Sequence, residues 1–512
     1  MVLTSLLSYD DITIIADAWN SPQHCQTFAT IGTTLRSGLR FCVPVANDKV
    51  PPIWLRGIRM KVLPLSGIFV SPFPPGKEPL MSTTAVIPEL LSDAPQAPET
   101  VEQTGIRQAF LEDLALKILC VAGPLSLREL SDHIRLNFGV VNELLRRLRA
   151  EQLCEVTGMH SNIPQIAITS SGRSRAIELL SLNQYTGSAP VSLASYVKRI
   201  QQQSVRQTEI HPPDVKRALS HLVIDDKTMR KLGAALNSGT SIFLHGPSGT
   251  GKTSIATALS SVLALHHVWV PYAVEVDGQI IVVHDPIVHP RVKDADPQNA
   301  DPRWLLCHRP AVLVGGELTI EMLELQLNPV AKYYTAPMQM KANNGVLIID
   351  DFGRQRIRPE ELLNRWVVPL DRRIDFLTLA GGRKVEIPFE MFVVFATNLD
   401  PATLVDAAFL RRIQTKVHVG ALSNQEFHAI FKVVCEPQNL KYDPAVLDEL
   451  IDVIRNKLHE PLRACHPRDI VNQVRWSARY EQKETTLDRD SVLTAVDAYF
   501  GATSDDSDSY QS

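Results

Sequence analysis

From Phe110 onward the apolar positions recur at helical spacing and then switch to short alternating or unbroken runs, so the chain is mixed α/β. Phe110, Leu114, Leu116, Ile118 and Leu119 predict a first helix. Ser126-Leu-Arg-Glu129 has the form of a capping box, and opens a second helix through Leu130 and His133 to Ile134. After Phe138-Gly139, a third helix carries Val141, Leu144, Leu145, Leu148 and Leu153 on its apolar side. Residues 155–157 and 165–169 alternate as two short strands, and 171–180 read as a closing helix. A further amphipathic helix is expected over 193–200. Unbroken apolar runs at 241–245, 345–349 and 391–397 have the composition of buried parallel strands. Two segments alternate around turn residues and predict hairpins: 273–283 around Asp277-Gly278, and 375–388 around Gly381-Gly382. Beyond residue 421 the period is helical again, near 424–434, 444–457, 467–481 and 488–499.

The first buried run leads directly into Gly246, Pro247, Ser248, Gly249, Thr250, Gly251, Lys252 and Thr253, a complete G-x-x-x-x-G-K-[ST] loop. A helical pattern leads out of it through Ile255, Ala258, Leu259, Val262 and Leu263. Strand, glycine-rich loop and helix start make a phosphate cradle, because backbone N–H groups and the helix N-terminus all present positive partial charge. Lys252 is expected to reach the β- and γ-phosphates of ATP, and the Thr253 hydroxyl to bind Mg²⁺. The second run ends in Asp350 and Asp351, a Walker B pattern in which Asp350 holds the Mg²⁺ shell and Asp351 orients the attacking water. The third ends in Asn398, a candidate partner for the γ-phosphate or that water. Arg411 and Arg412 follow at a spacing that suits fingers reaching a neighbouring copy's nucleotide, with Arg412 the better fit.

Taken in order, these elements resemble the AAA+ ATPases: Walker A, Walker B, sensor 1 at Asn398 and the arginine finger. The resemblance spans about 215–500 and implies a parallel sheet flanked by helices and a C-terminal all-α lid. In that lid, His466-Pro-Arg468 is similar to sensor 2, and implies a contact from Arg468 to the γ-phosphate. The hairpin at 375–388, before the sensor 1 strand, resembles the pre-sensor-1 hairpin group that includes MoxR-type and magnesium-chelatase-type ATPases. Hairpins of that group tend to face the pore or substrate. The G-A-F-T-G-A loop of sigma-54 activators is absent, against that function. Asp351 stands where glutamate is usual, and its shorter arm puts fast hydrolysis in question.

The segments 107–182 together resemble a winged-helix domain: helix, helix–turn–helix, two-stranded wing, helix. Its third helix carries Arg146, Arg147 and Arg149, which suit either double-stranded DNA or the helix dipole of a protein-docking module. The remaining organisation is expected as follows. Residues 1–80 are an extension whose Gly-Lys-Glu before Met81 suggests a start at Met81. Residues 81–106 are a Pro-rich linker, 183–213 a connector, 214–420 the ATPase core, 421–500 the lid and 501–512 an acidic, disordered tail.

Composition narrows the class without changing it. A net charge of −4 supplies no global basic field for nucleic acid. Seven scattered cysteines without a C-x-x-C fit reduced thiols and a cytoplasmic location. There is no run of 18 apolar residues and no signal-peptide pattern, so no membrane partner is expected. The histidines at 266, 267, 284, 289 and 308 lack ligand spacing, so Mg²⁺ is the single metal expected. The resemblance implies a self-assembled ring, a hexamer, because the finger acts in trans. Such a ring would hydrolyse ATP to remodel a protein or protein–nucleic-acid client. Two alternatives stand beside it: an ATP-controlled DNA-binding regulator, and a nucleotide-gated scaffold that hydrolyses slowly.

Overall fold

In a computed structural model, the residues described are 93–501 apart from 161–162, 293–299 and 405–406, together with short strands between residues 14 and 60. The chain divides into two compact units, Met1–Lys77 and Glu78–Ser512. In the first, Ile14–Trp19, Thr27–Thr33 and Val43–Val45 pair antiparallel, as do Ile53–Leu55 and Ile58–Met60. Met81, and the tail from residue 502, lie outside the described residues.

The second unit is built on a five-stranded sheet, all parallel, in the order Ala311–Val314, Val346–Ile349, Phe392–Thr397, Ser241–His245, Thr415–His418. The three runs expected to be buried strands are its centre. Unbroken apolar sequence is what a strand covered on both faces requires. Alternate residues then face opposite layers. Ile242, Leu244, Ile348 and Val394 pack with Ile255, Leu259 and Leu263 of the helix Lys252–Leu263. Phe243, Leu347, Ile349 and Phe395 pack with Leu362 and Trp366 of the helix Pro359–Arg372. Phe243 and Phe395 stack at 5.9 Å between ring centroids. The two outer strands were not apparent from the sequence. Ala311–Val314 is half exposed at the sheet edge, and Thr415–His418 is polar and short.

A subdomain is inserted between the helix Lys252–Leu263 and the edge strand Ala311–Val314. His267–Pro271 pairs antiparallel with Trp304–His308. Ala273–Val276 and Gln279–Val282 form the expected hairpin, with φ of 52° at Asp277 and 83° at Gly278, both left-handed as a two-residue turn demands. The other hairpin, Ile374–Thr378 with Lys384–Pro388, turns through Gly381 and Gly382 at φ 92° and 82°. The two tips meet in an ion pair between Arg383 and Asp277 (2.9 Å).

The N-terminal helices are Gln108–Ala122, Leu127–Ile134 and Phe138–Ala150, followed by the paired strands Cys154–His160 and Ile163–Ile168 and the helix Ser170–Leu182. The capping box forms as expected: Glu129 N–H donates to Ser126 Oγ (3.1 Å) and Ser126 N–H to Glu129 Oε2 (2.7 Å). What differs is the flanking sequence. The segment expected to be a linker is packed over its described part, with Val101, Thr104 and Ile106 buried. Within the connector, Val191–Ser192 extends the inserted sheet beside Ala273–Val276, and the helix Leu193–Gln202 buries Tyr196 and Ile200. A buried pair, Asp301 and Arg303, holds both segments: Arg303 grips Asp301 with Nε and Nη2, and its Nη1 donates to the carbonyls of Thr104 and Pro190 (3.1 Å each). A buried charge needs this full set of partners, so its position is fixed by the segments it ties together.

The chain closes in an all-α domain. Asn424–Cys435, Pro444–Asp452, His466–Tyr480 and Arg489–Phe500 surround Phe427, Phe431, Leu450, Ile470, Val474 and Val496. No helix among the described residues is long and apolar enough to cross a membrane.

Candidate nucleotide-binding site

The strand Ser241–His245 ends at Gly246, where φ is 143°, and a Cβ there would lie 2.2 Å from the Val419 carbonyl. Gly249 (φ 77°) and Gly251 (φ 94°) continue the turn, and the helix begins at Lys252. Only glycine adopts these angles beside another backbone without strain. Lys252 is buried, and its Nζ donates to the carbonyls of Gly246 (2.9 Å) and Pro247 (2.7 Å) across the loop mouth. Burial lowers the pKa of this ammonium, while Asp351 and Asp350 oppose the shift.

Thr253 Oγ1 donates to both carboxylate oxygens of Asp350, at 2.9 and 3.1 Å. This is an all-oxygen donor set of the type a hard cation such as Mg²⁺ takes, so the residues fit the ion. Asp351 is exposed in the left-handed region (φ 48°), its N–H donating to Asp350 Oδ1 (3.0 Å). The turn is tied to the next strand: Phe352 N–H donates to the Ala396 carbonyl (2.7 Å), and Thr397 Oγ1 to the Phe352 carbonyl (2.6 Å). Asn398 follows directly, and its Oδ1 is buried with no hydrogen-bond partner. A buried acceptor left open beside a phosphate loop is a vacancy for a donor such as water.

The arginines separate. Arg412 is mostly covered and ion-paired with Asp371 (2.8 Å), whereas Arg411 is exposed. Arg468 is exposed too and paired with its neighbour Asp469 (3.0 Å). The residue that lies at the loop is Arg463, which the sequence reading missed. A Cβ on Gly249 would sit 3.5 Å from Arg463 Cδ and 2.6 Å from Cys465 Sγ. The Cys465 N–H donates to the Gly249 carbonyl (3.0 Å). Arg463 pairs with Glu460 (2.7 Å), and its Nε is buried without a partner. The sequence pointed to Arg468 through its sensor-2-like motif, whereas the segment before the helix carries Arg463 across the loop.

This crossing depends on a neutral histidine. His466 is buried, and its Nδ1 accepts the Arg463 N–H (3.3 Å). Burial brings its pKa down to about 4. The fully buried His289 is alike: its Nδ1 accepts from Asp285 N–H, so Nε2 donates to the Lys341 carbonyl (2.8 Å), and burial again holds the pKa near about 4. His289 is thus used as a neutral hydrogen-bonding group, and no group of residues able to hold a metal occurs among the described residues. Folded pKa values below the unfolded 6.5 mean that the unfolded chain binds more protons between about pH 6.5 and 4, so stability falls on acidification through that window. Each histidine contributes up to about 3 kcal/mol by pH 4. Thermal unfolding measured from pH 7 to 4.5 is expected to show this loss, reduced in His289→Gln; a flat profile would contradict the neutral assignment.

Five cysteines among the described residues are free thiols.

The core combines the loop strand, set between the Asn398 strand and Thr415–His418, with the Asp350 strand one place further across the sheet. Helices cover both faces, and an all-α domain docks on the loop. The fold is the AAA+ P-loop fold. NtrX from Brucella abortus, solved with ADP, is similar at 17% identity and a TM-score of 0.34 over 54% of this chain and 56% of its own. The Thermotoga maritima RuvB Holliday junction branch migration motor is similar at 15% identity and a TM-score of 0.32, over 54% of this chain and 69% of its own. This chain thus spans little more than half of the NtrX chain. A domain family described as a domain of unknown function, DUF8689, matches 423–498, which is the all-α domain of the AAA+ fold. Comparison with curated proteins gives no match.

Proposed function

We propose that this protein binds Mg²⁺-ATP and hydrolyses it in a ring of identical chains, a hexamer, to remodel a protein or protein–nucleic-acid client. The observation that carries the reading is the Thr253–Asp350 pair at 2.9 Å beside a buried Lys252, with the lid segment 463–466 closed over the same loop. Bound Mg²⁺ would neutralise phosphate charge as the reaction proceeds. Thr253 and Asp350 hold its shell. Lys252 and Arg463 supply cations from the core and lid sides, and Arg468 is the second choice on the lid. Asn398 Oδ1 accepts a hydrogen bond from the attacking water, and Asp351 helps to align that water. The water attacks the γ-phosphorus as the bond to the β-bridging oxygen breaks, giving ADP and phosphate. Arg411 of a neighbouring copy completes the charge, with Arg412 the alternative. The resemblance of the 375–388 hairpin to that of MoxR-type and magnesium-chelatase-type ATPases supports a client-facing role for the paired hairpin tips at Asp277 and Arg383. We place the protein in the cytoplasm.

A second reading is favoured by one observation. On the third helix of the region read as a winged helix, Asn142, Arg146 and Arg149 are exposed along one face, whereas Arg147 is engaged with Glu112 (3.3 Å). Asn and Arg at i, i+4 and i+7 form a stripe that can meet phosphates or base edges of duplex DNA. Steady-state ATPase activity of the full chain, with and without duplex DNA, separates the two. Turnover that DNA leaves unchanged is expected for a protein remodeller. A several-fold rise that is lost in Arg146→Glu/Arg149→Glu would establish the DNA reader. ATP bound tightly with no turnover would leave the nucleotide-gated scaffold.

A further inference from the structure

We infer that Glu317, rather than Asp351, is the general base that takes the proton from the attacking water. The inference rests on the hydrolytic reading above. At the Walker B turn, Asp351 has a short arm and a backbone in the left-handed region. A carboxylate with a longer arm stands one strand away. Ala311–Val314 runs parallel to Val346–Ile349 in the register Val314 opposite Ile349, and the Asp350 N–H donates to the Val314 carbonyl (2.8 Å). Both strands therefore end at one level, with Gly315 facing Asp350. Strands lie about 4.8 Å apart. The Gly315 N–H donates to Glu317 Oε1 (3.0 Å), which folds the Glu317 carboxylate back toward the strand end and within roughly 8 Å of the Asp350 backbone.

The surrounding loop is held on every side. The Arg356 N–H donates to the Gly316 carbonyl (3.1 Å) and the Ile357 N–H to the Leu318 carbonyl (3.2 Å). Leu318 is fully buried in the cluster around Phe243 and Trp366. Gln355 Nε2 donates to the Asp350 carbonyl (2.8 Å), so the segment that staples Glu317 also staples Asp350. The backbone is held on both sides of Glu317, at the Gly316 and Leu318 carbonyls, as a positioned acid–base group requires. Gly315 leaves the room: a Cβ there would come 3.1 Å from Glu317 Oε2. In the step itself, one Glu317 oxygen accepts the water proton while the water oxygen bonds to the γ-phosphorus. The phosphorus–oxygen bond to ADP breaks, and the electron pair leaves with ADP.

The test is turnover and ATP affinity of the full chain carrying Glu317→Gln or Asp351→Asn. General-base loss is worth about 10²- to 10⁴-fold. Glu317→Gln is expected to lower kcat at least about 100-fold with ATP affinity and melting temperature unchanged. Asp351→Asn is expected to cost less than about tenfold, because its carboxylate supports rather than performs the transfer. Wild-type kcat in Glu317→Gln, or the large loss appearing in Asp351→Asn alone, overturns the inference and leaves the ATPase reading intact. A wild-type chain that binds ATP without any turnover overturns both.

Discussion

Lys252→Ala is expected to reduce ATP affinity and turnover by roughly 100-fold or more, the usual cost of removing a charged donor aimed at developing phosphate charge. The geometry makes the loss specific. Nζ spans the loop mouth between the Gly246 and Pro247 carbonyls, so it stands where the β- and γ-phosphates would enter. Its burial means no solvent cation replaces it. Truncation leaves the glycine turn intact, because that turn is set by the φ angles of Gly246, Gly249 and Gly251 rather than by the lysine. Nucleotide binding by calorimetry, alongside an unchanged melting curve, measures the effect. Near-wild-type affinity would mean the loop does not hold phosphate. In the same assay Arg463→Ala is expected to lose the preference for ATP over ADP and Arg468→Ala to keep it, since Arg463 lies over Gly249 and Arg468 is paired with Asp469.

Arg411→Ala is expected to spare ATP binding and lower turnover of the assembled ring by about 1,000-fold, the low end of what an arginine finger supplies. Arg412 matches the usual finger position better in sequence, but it is mostly covered and ion-paired with Asp371, and extending it across an interface would break that pair. Arg411 is exposed and has no such cost. Arg412→Ala should therefore act first on stability. Mixing Arg411→Ala chains with Lys252→Ala chains is expected to restore part of the turnover, because some interfaces then join an intact loop to an intact finger. Full activity of Arg411→Ala, with the loss in Arg412→Ala, would reverse the assignment. No recovery on mixing would argue against a finger acting between chains.

Much of the site was legible because it is made by local rules. A glycine loop between a buried strand and a helix has one geometry, so Gly246 to Thr253 identified the loop, and the carboxylate ending the next apolar run lies within hydrogen-bond reach of Thr253. The capping box at Ser126 and the Asp277-Gly278 turn formed for the same reason, since each is complete within four residues. The lid arginine, the packed connector and Glu317 were not legible. Arg463 and Arg468 sit five positions apart, and the crossing of residues 463–466 over Gly249 is what brings Arg463 to the loop. The linker read as loose from its prolines is held by Arg303, nearly two hundred residues away from Thr104. Glu317 follows an edge strand whose half-exposed residues carry no strong period.

The sequence by itself therefore determined the element types, the glycine loop, the Asp350 end of the next buried strand in the chain and the two hairpin turns, because backbone geometry and hydrophobic period act within a few residues. Tertiary structure decided that Arg463 lies over Gly249 and that Arg303 ties the segments around Thr104 and Pro190 together. Those outcomes depend on contacts between segments far apart in the chain, where burial and a complete set of hydrogen-bond partners, rather than local spacing, select the neighbour.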